Sequence, residues 1–149
     1  MKSAVFFCAL AFASASFAAT HPFDVHDLVM MNRLGDPQLS PDGSKIAFQM
    51  RETDYAANKG TSGIWMLDLS AKDAKPVRLT DKEISASSPR WSADGKSIYY
   101  LAQAKGDEYT RVWRMAATPG SEPQRETPWP ADINTFKLSP DGTTMLLSI

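Results

Sequence analysis

The sequence predicts an all-β chain that forms a partial β-propeller, and three observations predict it. A five-residue turn pattern occurs three times: Leu39-Ser40-Pro41-Asp42-Gly43, Trp91-Ser92-Ala93-Asp94-Gly95 and Leu138-Ser139-Pro140-Asp141-Gly142. Its glycines lie 52 and then 47 residues apart, the period of a repeat architecture. A second pattern, Gly63-Ile64-Trp65-Met66-Leu67-Asp68-Leu69, returns as Arg111-Val112-Trp113-Arg114-Met115, with its tryptophans 48 residues apart. Third, no window between Gly35 and Ile149 carries an apolar stripe at helical period. Four short strands in roughly 45–50 residues make a propeller blade. An antiparallel sandwich whose hairpins share a turn is the alternative. The likeness extends past the turns into the Trp65 and Trp113 strands, which favours the propeller.

Residues 1–18 read as a signal peptide. Lys2 supplies the positive start, Ala4 to Phe12 the apolar stretch, and Ser16-Phe17-Ala18 the small-x-small cleavage site, with Ala13-Ser14-Ala15 as a second option. Cys8 belongs to the apolar stretch. The run is too short and too broken by serines for a stable membrane span. Its loss leaves 131 residues without cysteine, so core packing must hold the exported protein together. The remaining 15 Lys plus Arg against 17 Asp plus Glu give a charge of −2, which excludes a nucleic-acid footprint. The expected location is periplasmic or secreted.

Residues 19–35 form a helical lead. Asp24 caps a helix through Val25, His26, Asp27, Leu28, Val29, Met30 and Met31, Asp27 completes a capping box, and Gly35 stops it. Val25, Leu28, Val29 and Met31 are expected to cover one end of the repeat array.

The incomplete propeller occupies 36–149, with blades at 36–84 and 85–132 and half a blade at 133–149. Each begins with a short strand before the turn (Pro37–Ser40, Pro89–Ser92, Phe136–Ser139) and a second after it (Lys45–Phe48, Lys96–Leu101, Thr144–Leu147). Pro41 and Pro140 preset φ at the second turn position, and Asp fits the third. The glycine closes a type I turn with a G1 bulge, and Ala93 loses only preorganisation. The Trp65 and Trp113 strands come third; Val77-Arg78-Leu79-Thr80 and Gln124-Arg125-Glu126-Thr127 come fourth.

Asp36-Pro37-Gln38-Leu39-Ser40-Pro41-Asp42-Gly43-Ser44-Lys45-Ile46-Ala47-Phe48 is preceded by Phe23-Asp24-Val25-His26-Asp27-Leu28 and followed by the long loop Glu52 to Ser62 and Ile64-Trp65. On these residues the chain resembles the start of a bacterial prolyl oligopeptidase-family serine peptidase, of the dipeptidyl-peptidase 5 and acylaminoacyl-peptidase branch. The resemblance covers about residues 21–149. It implies a propeller that restricts short-peptide access to a C-terminal α/β-hydrolase domain with a Ser-Asp-His triad. That domain is the implied partner, on the same polypeptide. No catalytic residue carries over: the sequence has no Gly-x-Ser-x-Gly elbow, Thr61-Ser62-Gly63 lacks the first glycine, and His21 and His26 precede every repeat. The acidic pair by which some dipeptidyl peptidases hold a substrate amine is also missing.

No cofactor or metal is expected. Gly95-Lys96-Ser97 mimics the end of a phosphate loop, but Arg90 stands where that loop needs glycine. His21, Asp24, His26 and Asp27 lack a metal-ligand spacing, and capping accounts for both acids. Asp42, Asp94 and Asp141 recur because the turn recurs. Trp65, Trp91 and Trp113 are assigned to sheet packing, Met30-Met31 to core contact, and Asp54 to Ser62 to a solvated hairpin tip that is the best candidate for a partner or substrate contact. About two and a half blades cannot close a ring. The sequence therefore reads as part of a larger exported protein, with a Tol-like interaction propeller and a non-functional remnant as the alternatives. N-terminal sequencing of exported material should begin at Ala19; a retained Met1 would refute cleavage.

Overall fold

A computed structural model describes residues 21–149, and the signal-peptide assignment lies outside them. One helix, α1 (Val25–Met30), precedes ten strands. The first blade contains β1 (Arg33–Leu39), β2 (Lys45–Asp54), β3 (Lys59–Asp68) and β4 (Val77–Arg78). The second contains β5 (Ala86–Trp91), β6 (Ser97–Ala102), β7 (Arg111–Ala116) and β8 (Gln124–Arg125). A third hairpin pairs β9 (Thr135–Leu138) with β10 (Met145–Ser148). Every pairing is antiparallel, and both four-stranded sheets keep sequence order. All-β architecture and propeller-type blades are thus as the repeats predict.

The three turns share one hydrogen-bond scheme. In the first, Gly43 N donates to Ser40 O at 2.9 Å and Ser40 N donates to Lys45 O at 2.8 Å. Gly43 has φ 73°, the left-handed conformation the bulge requires. The serine hydroxyl then links side chain and ladder: Ser40 Oγ donates to Asp42 Oδ1 at 2.6 Å and accepts from Lys45 N at 2.9 Å. Ser92 with Asp94 and Ser139 with Asp141 repeat both bonds. Donation from the serine hydroxyl is the leading reason that Asp42 and Asp141 are lowered from 3.8 to about 2; Asp94 is lowered for the same reason.

Strand alternation places two apolar layers. Ile98, Tyr100 and Ala102 point toward the first blade, where with Met115 they bury Ala47, Ile64, Met66 and Leu79. Leu101 and Val112 point the other way, onto Ile133 and Phe136. Burial of an aliphatic side chain of this size stabilises by about 1.5–3 kcal/mol, so the two layers dominate the adhesion between blades. Burial alone pushes the Tyr100 hydroxyl up to about 12. The fourth strands are shorter than expected, two residues each. Their ladders finish through side chains instead: Ile64 N donates to Thr80 Oγ1 at 3.0 Å and Val112 N donates to Thr127 Oγ1 at 3.1 Å.

Three local expectations need correction. β1 begins at Arg33, so Gly35 lies within a strand and does not stop the helix. The α1 capping box forms as read, with Asp24 Oδ1 accepting from His26 N and Asp27 N, and Asp27 Oδ2 accepting from Asp24 N. Yet α1 buries no residue: Val25, Leu28, Met30 and Met31 are exposed. Finally, Glu52 to Ser62 is mostly strand. Pairing runs from Arg51↔Ser62 out to Asp54↔Lys59, leaving only Tyr55 to Asn58 as the tip. Its polar residues look loop-like in sequence but make an ordinary two-stranded extension.

Two outcomes follow from the turns. Gly43→Val should destabilise the protein by about 1–3 kcal/mol, because a β-branched residue is strained at positive φ; unfolding curves that match wild type would refute the turn geometry. The three aspartates are depressed in the folded state, so their contribution is present above the ordinary carboxylate value and lost as pH falls toward about 2. Urea midpoints measured from about pH 5 to about pH 2 should therefore drop, and drop less in Asp42→Asn.

Candidate functional site

The first strands of the two complete blades, β1 and β5, share a strained non-glycine position that recurs between blades among the described residues. Asp36 has φ 47° and Ser88 has φ 54°, and each is followed by proline. The register shifts there in both blades, between Gly35 and Gln38 and between Ser87 and Arg90. Each is a bulge that re-aims a side chain. In the first blade that side chain is a carboxylate. Asp36 Oδ2 accepts from Arg90 Nη1 at 2.7 Å and Oδ1 accepts from Gln38 Nε2 at 2.7 Å. Arg90 Nη1 also donates to Pro89 O at 2.6 Å, and Trp91 Nε1 donates to Gln38 O at 2.9 Å. Two side chains of β5 are thereby tied to β1.

The turns reinforce this seam. A Cβ at Gly95 would lie 3.4 Å from Pro41 Cδ, and one at Gly142 would lie 3.4 Å from Ala93 Cβ. The second turn position of each blade packs on the glycine of the next. That contact favours a small or flat residue and makes the Pro-to-Ala change at 93 tolerable. Beside the turns, the three inner strands enclose an open groove of about 420 Å³, lined by Gln38, Leu39, Arg90, Trp91, Lys137 and Leu138 among others. This groove is the candidate site.

Other sequence candidates fall elsewhere. Potential ligand atoms of His21, Asp24 and Asp27 lie within 4.8 Å of one another, but the carboxylates already serve the cap. His26 is not in that cluster; its ring meets Tyr55 edge-on at 4.7 Å. Ser40 and Ser139 donate to turn aspartates and have no base oriented toward them, so neither hydroxyl is activated. Ser62 lies in β3 and its Oγ pairs with Gln49 Nε2 at 3.2 Å. Gly95-Lys96-Ser97 closes the second turn, where Lys96 N donates to Asp94 Oδ1 at 3.0 Å. Trp91 and Trp113 pack against the first apolar layer, and Trp113 Nε1 donates to Ala102 O at 3.1 Å. Trp65 Nε1 is buried without an acceptor among the described residues. Exposed Tyr55 lies at the Asp54 to Ser62 hairpin tip, away from the groove.

Sequence reasoning missed three structural cations. Arg78 is ion-paired to Glu52 and its Nε donates to Thr80 O at 2.9 Å. Arg111 is buried, donates from Nε to Asp107 Oδ2 at 2.9 Å, and holds Asp107 below the usual carboxylate range. Arg114 donates from Nε to Glu126 Oε1 at 2.6 Å. The Arg78–Glu52 and Arg114–Glu126 pairs join residues 26 and 12 apart and leave no mark in local spacing, whereas Asp107 and Arg111 are four residues apart and were legible as a local pair.

No protein-family model matches the chain. It is 28% identical over 123 residues to a protein named as the uncharacterized peptidase YuxL of Bacillus subtilis, covering 83% of this chain and 18% of that protein. It is 29% identical over 120 residues to dipeptidyl-peptidase 5 of Porphyromonas endodontalis, covering 80% of this chain and 16% of that protein. The chain thus spans less than a fifth of the length of these curated relatives. Among solved structures it resembles the AtxE2 isopeptidase, with TM-score 0.57 and 26% identity over 80% of this chain and 22% of that one. It also resembles a protein described as TolB from Agrobacterium tumefaciens, with TM-score 0.57 and 25% identity over 73% of this chain and 35% of that one. The propeller domain of the trilobed protease from Pyrococcus furiosus shares the fold at TM-score 0.57 and 19% identity, over 78% of this chain and 34% of that one. In sequence and in backbone, the chain is similar to the propeller portion of prolyl oligopeptidase-family peptidases.

Proposed function

We propose that this chain is the N-terminal propeller portion of an exported serine peptidase of the dipeptidyl- or acylaminoacyl-peptidase type, where it restricts peptide access to a hydrolase domain carried by the same polypeptide. One observation carries the reading. The curated relatives are named as peptidases, they match 80% or more of this chain, and the matched part is less than a fifth of their own length. Propeller blades supply a rigid wall and no nucleophile, so chemistry must come from another domain and the blades contribute selection by size. The charged start, apolar run and small-residue site support export.

A second reading is a periplasmic interaction propeller without catalysis. The likeness to the protein described as TolB favours it, because that match covers 73% of this chain at 25% identity. The two readings part on a nucleophile. A full-length protein carrying these blades should hydrolyse dipeptidyl or acyl-aminoacyl substrates and react with a serine-directed fluorophosphonate, whereas residues 19–149 should do neither. Labelling of purified 19–149 at a single serine would overturn the assignment of the chemistry to another domain. A full-length protein that takes no label would establish the interaction reading.

A further inference from the structure

We infer that the groove across β1, β5 and β9 binds the C-terminal carboxylate of a short peptide, with Lys137 and Arg90 as its cationic contacts. The repeat supplies the argument. Positions 38, 90 and 137 are equivalent on the three inner strands, two residues before the turn serine, and hold Gln38, Arg90 and Lys137. All three line the groove. In the first pair of blades the cation is matched: Asp36, on its left-handed bulge, holds Arg90 Nη1 at 2.7 Å. The equivalent bulge in the second blade carries Ser88, a hydroxyl in place of the carboxylate. Lys137 therefore lacks the partner that the repeat gives Arg90. It is exposed and makes no ion pair among the described residues.

The rest of the lining fits the same ligand. No carboxylate lines the groove. Asp94 and Asp141 sit in the neighbouring turns, but each accepts from its own serine hydroxyl and a backbone N–H. Both recorded Arg90 bonds leave from Nη1, so Nε and Nη2 stay unassigned to any acceptor among the described residues. With the Asp36–Arg90 pair neutral, Lys137 leaves the groove one positive charge in a chain of net charge −1. Leu39, Trp91 and Leu138 give it apolar walls beside that charge. An anionic group next to an apolar side chain is what the last residue of a peptide presents. A peptide as carrier of the carboxylate rests on the peptidase-propeller reading; the preference for an anion rests on the groove.

The test titrates the chain, at low ionic strength and by heteronuclear NMR, with acetyl-Ala-Ala-Leu bearing a free carboxylate. The Trp91 indole and the backbone of residues 137 and 138 should shift. The dissociation constant should rise about fivefold for the C-terminal amide of the same peptide, and about fivefold in Lys137→Met, the upper range for one exposed charge pair. Lys137→Arg should keep wild-type affinity. Lys137 is exposed, so unchanged shifts elsewhere in Lys137→Met verify the fold. Equal binding of acid and amide, wild-type affinity in Lys137→Met, equal binding of an internal-glutamate peptide amide, or no binding would each overturn the inference. Hydrolysis is not read, so loss of the peptidase reading on fluorophosphonate labelling leaves this outcome separately decided.

Discussion

The serine hydroxyl of each Ser-x-Asp-Gly turn is the bond on which the blades depend. It donates to the aspartate two residues on and accepts from the backbone N–H five residues on. One side chain thus ties the tip of the hairpin to the start of its second strand. The aspartate, which also accepts from the backbone beyond the turn glycine, is held below the usual carboxylate range as a result. Register in a hairpin is set by its turn, and a slip of one residue would exchange the two faces of every blade. Ile98 and Tyr100 would then leave the first apolar layer and Leu101 the second. A local polar contact therefore decides a non-local apolar one.

The same logic explains why adjacent blades hold together without disulfides. Packing between them combines the apolar layer, the Arg90–Asp36 pair and the Trp91 indole bond to Gln38. The ion pair is partly exposed, so it adds little to stability and more to alignment. The apolar layer supplies most of the adhesion. By strand alternation, Ile46, Phe48, Met50, Trp65 and Leu67 are the first blade's counterparts of Ile98, Tyr100, Ala102, Trp113 and Met115, which face a neighbouring blade. That apolar face, together with the Trp65 indole that finds no acceptor among the described residues, is built like a blade-to-blade surface.

Legibility from sequence followed the range of the interaction. The turns, the strands flanking them and the α1 capping box are local, and the residues that form them are adjacent in sequence. The Asp54 to Ser62 hairpin was misjudged because Thr53, Thr61 and Ser62 are polar yet pair as strand. The bulges at Asp36 and Ser88 were hidden behind their prolines, although the recurrence of an X-Pro step after 52 residues was a usable sign. Burial of α1 was overstated because amphipathic spacing says nothing about what lies opposite. The groove was invisible for a different reason. Gln38, Arg90 and Lys137 share one column of the repeat, but three different residue types in that column carry no sign that the strands converge on one groove.

What the chain can do is constrained by the separation of wall from chemistry. A nucleophile needs a base and an oriented third group, and the serines of these turns are spent on aspartates. Depressed acids such as Asp42 and Asp141 cannot act as general bases near neutral pH, since their proton affinity is too low for that task. The scaffold thus commits the turn serines and aspartates to shape, and the inner strands lie beside them at the seam between blades. There the repeat is free to vary: Asp36 becomes Ser88 and Gln38 becomes Arg90 and Lys137 with no cost to the turn or the apolar layer. A fold that holds its architecture in one set of positions can vary the chemistry of another, and the inner strands are where this chain does so.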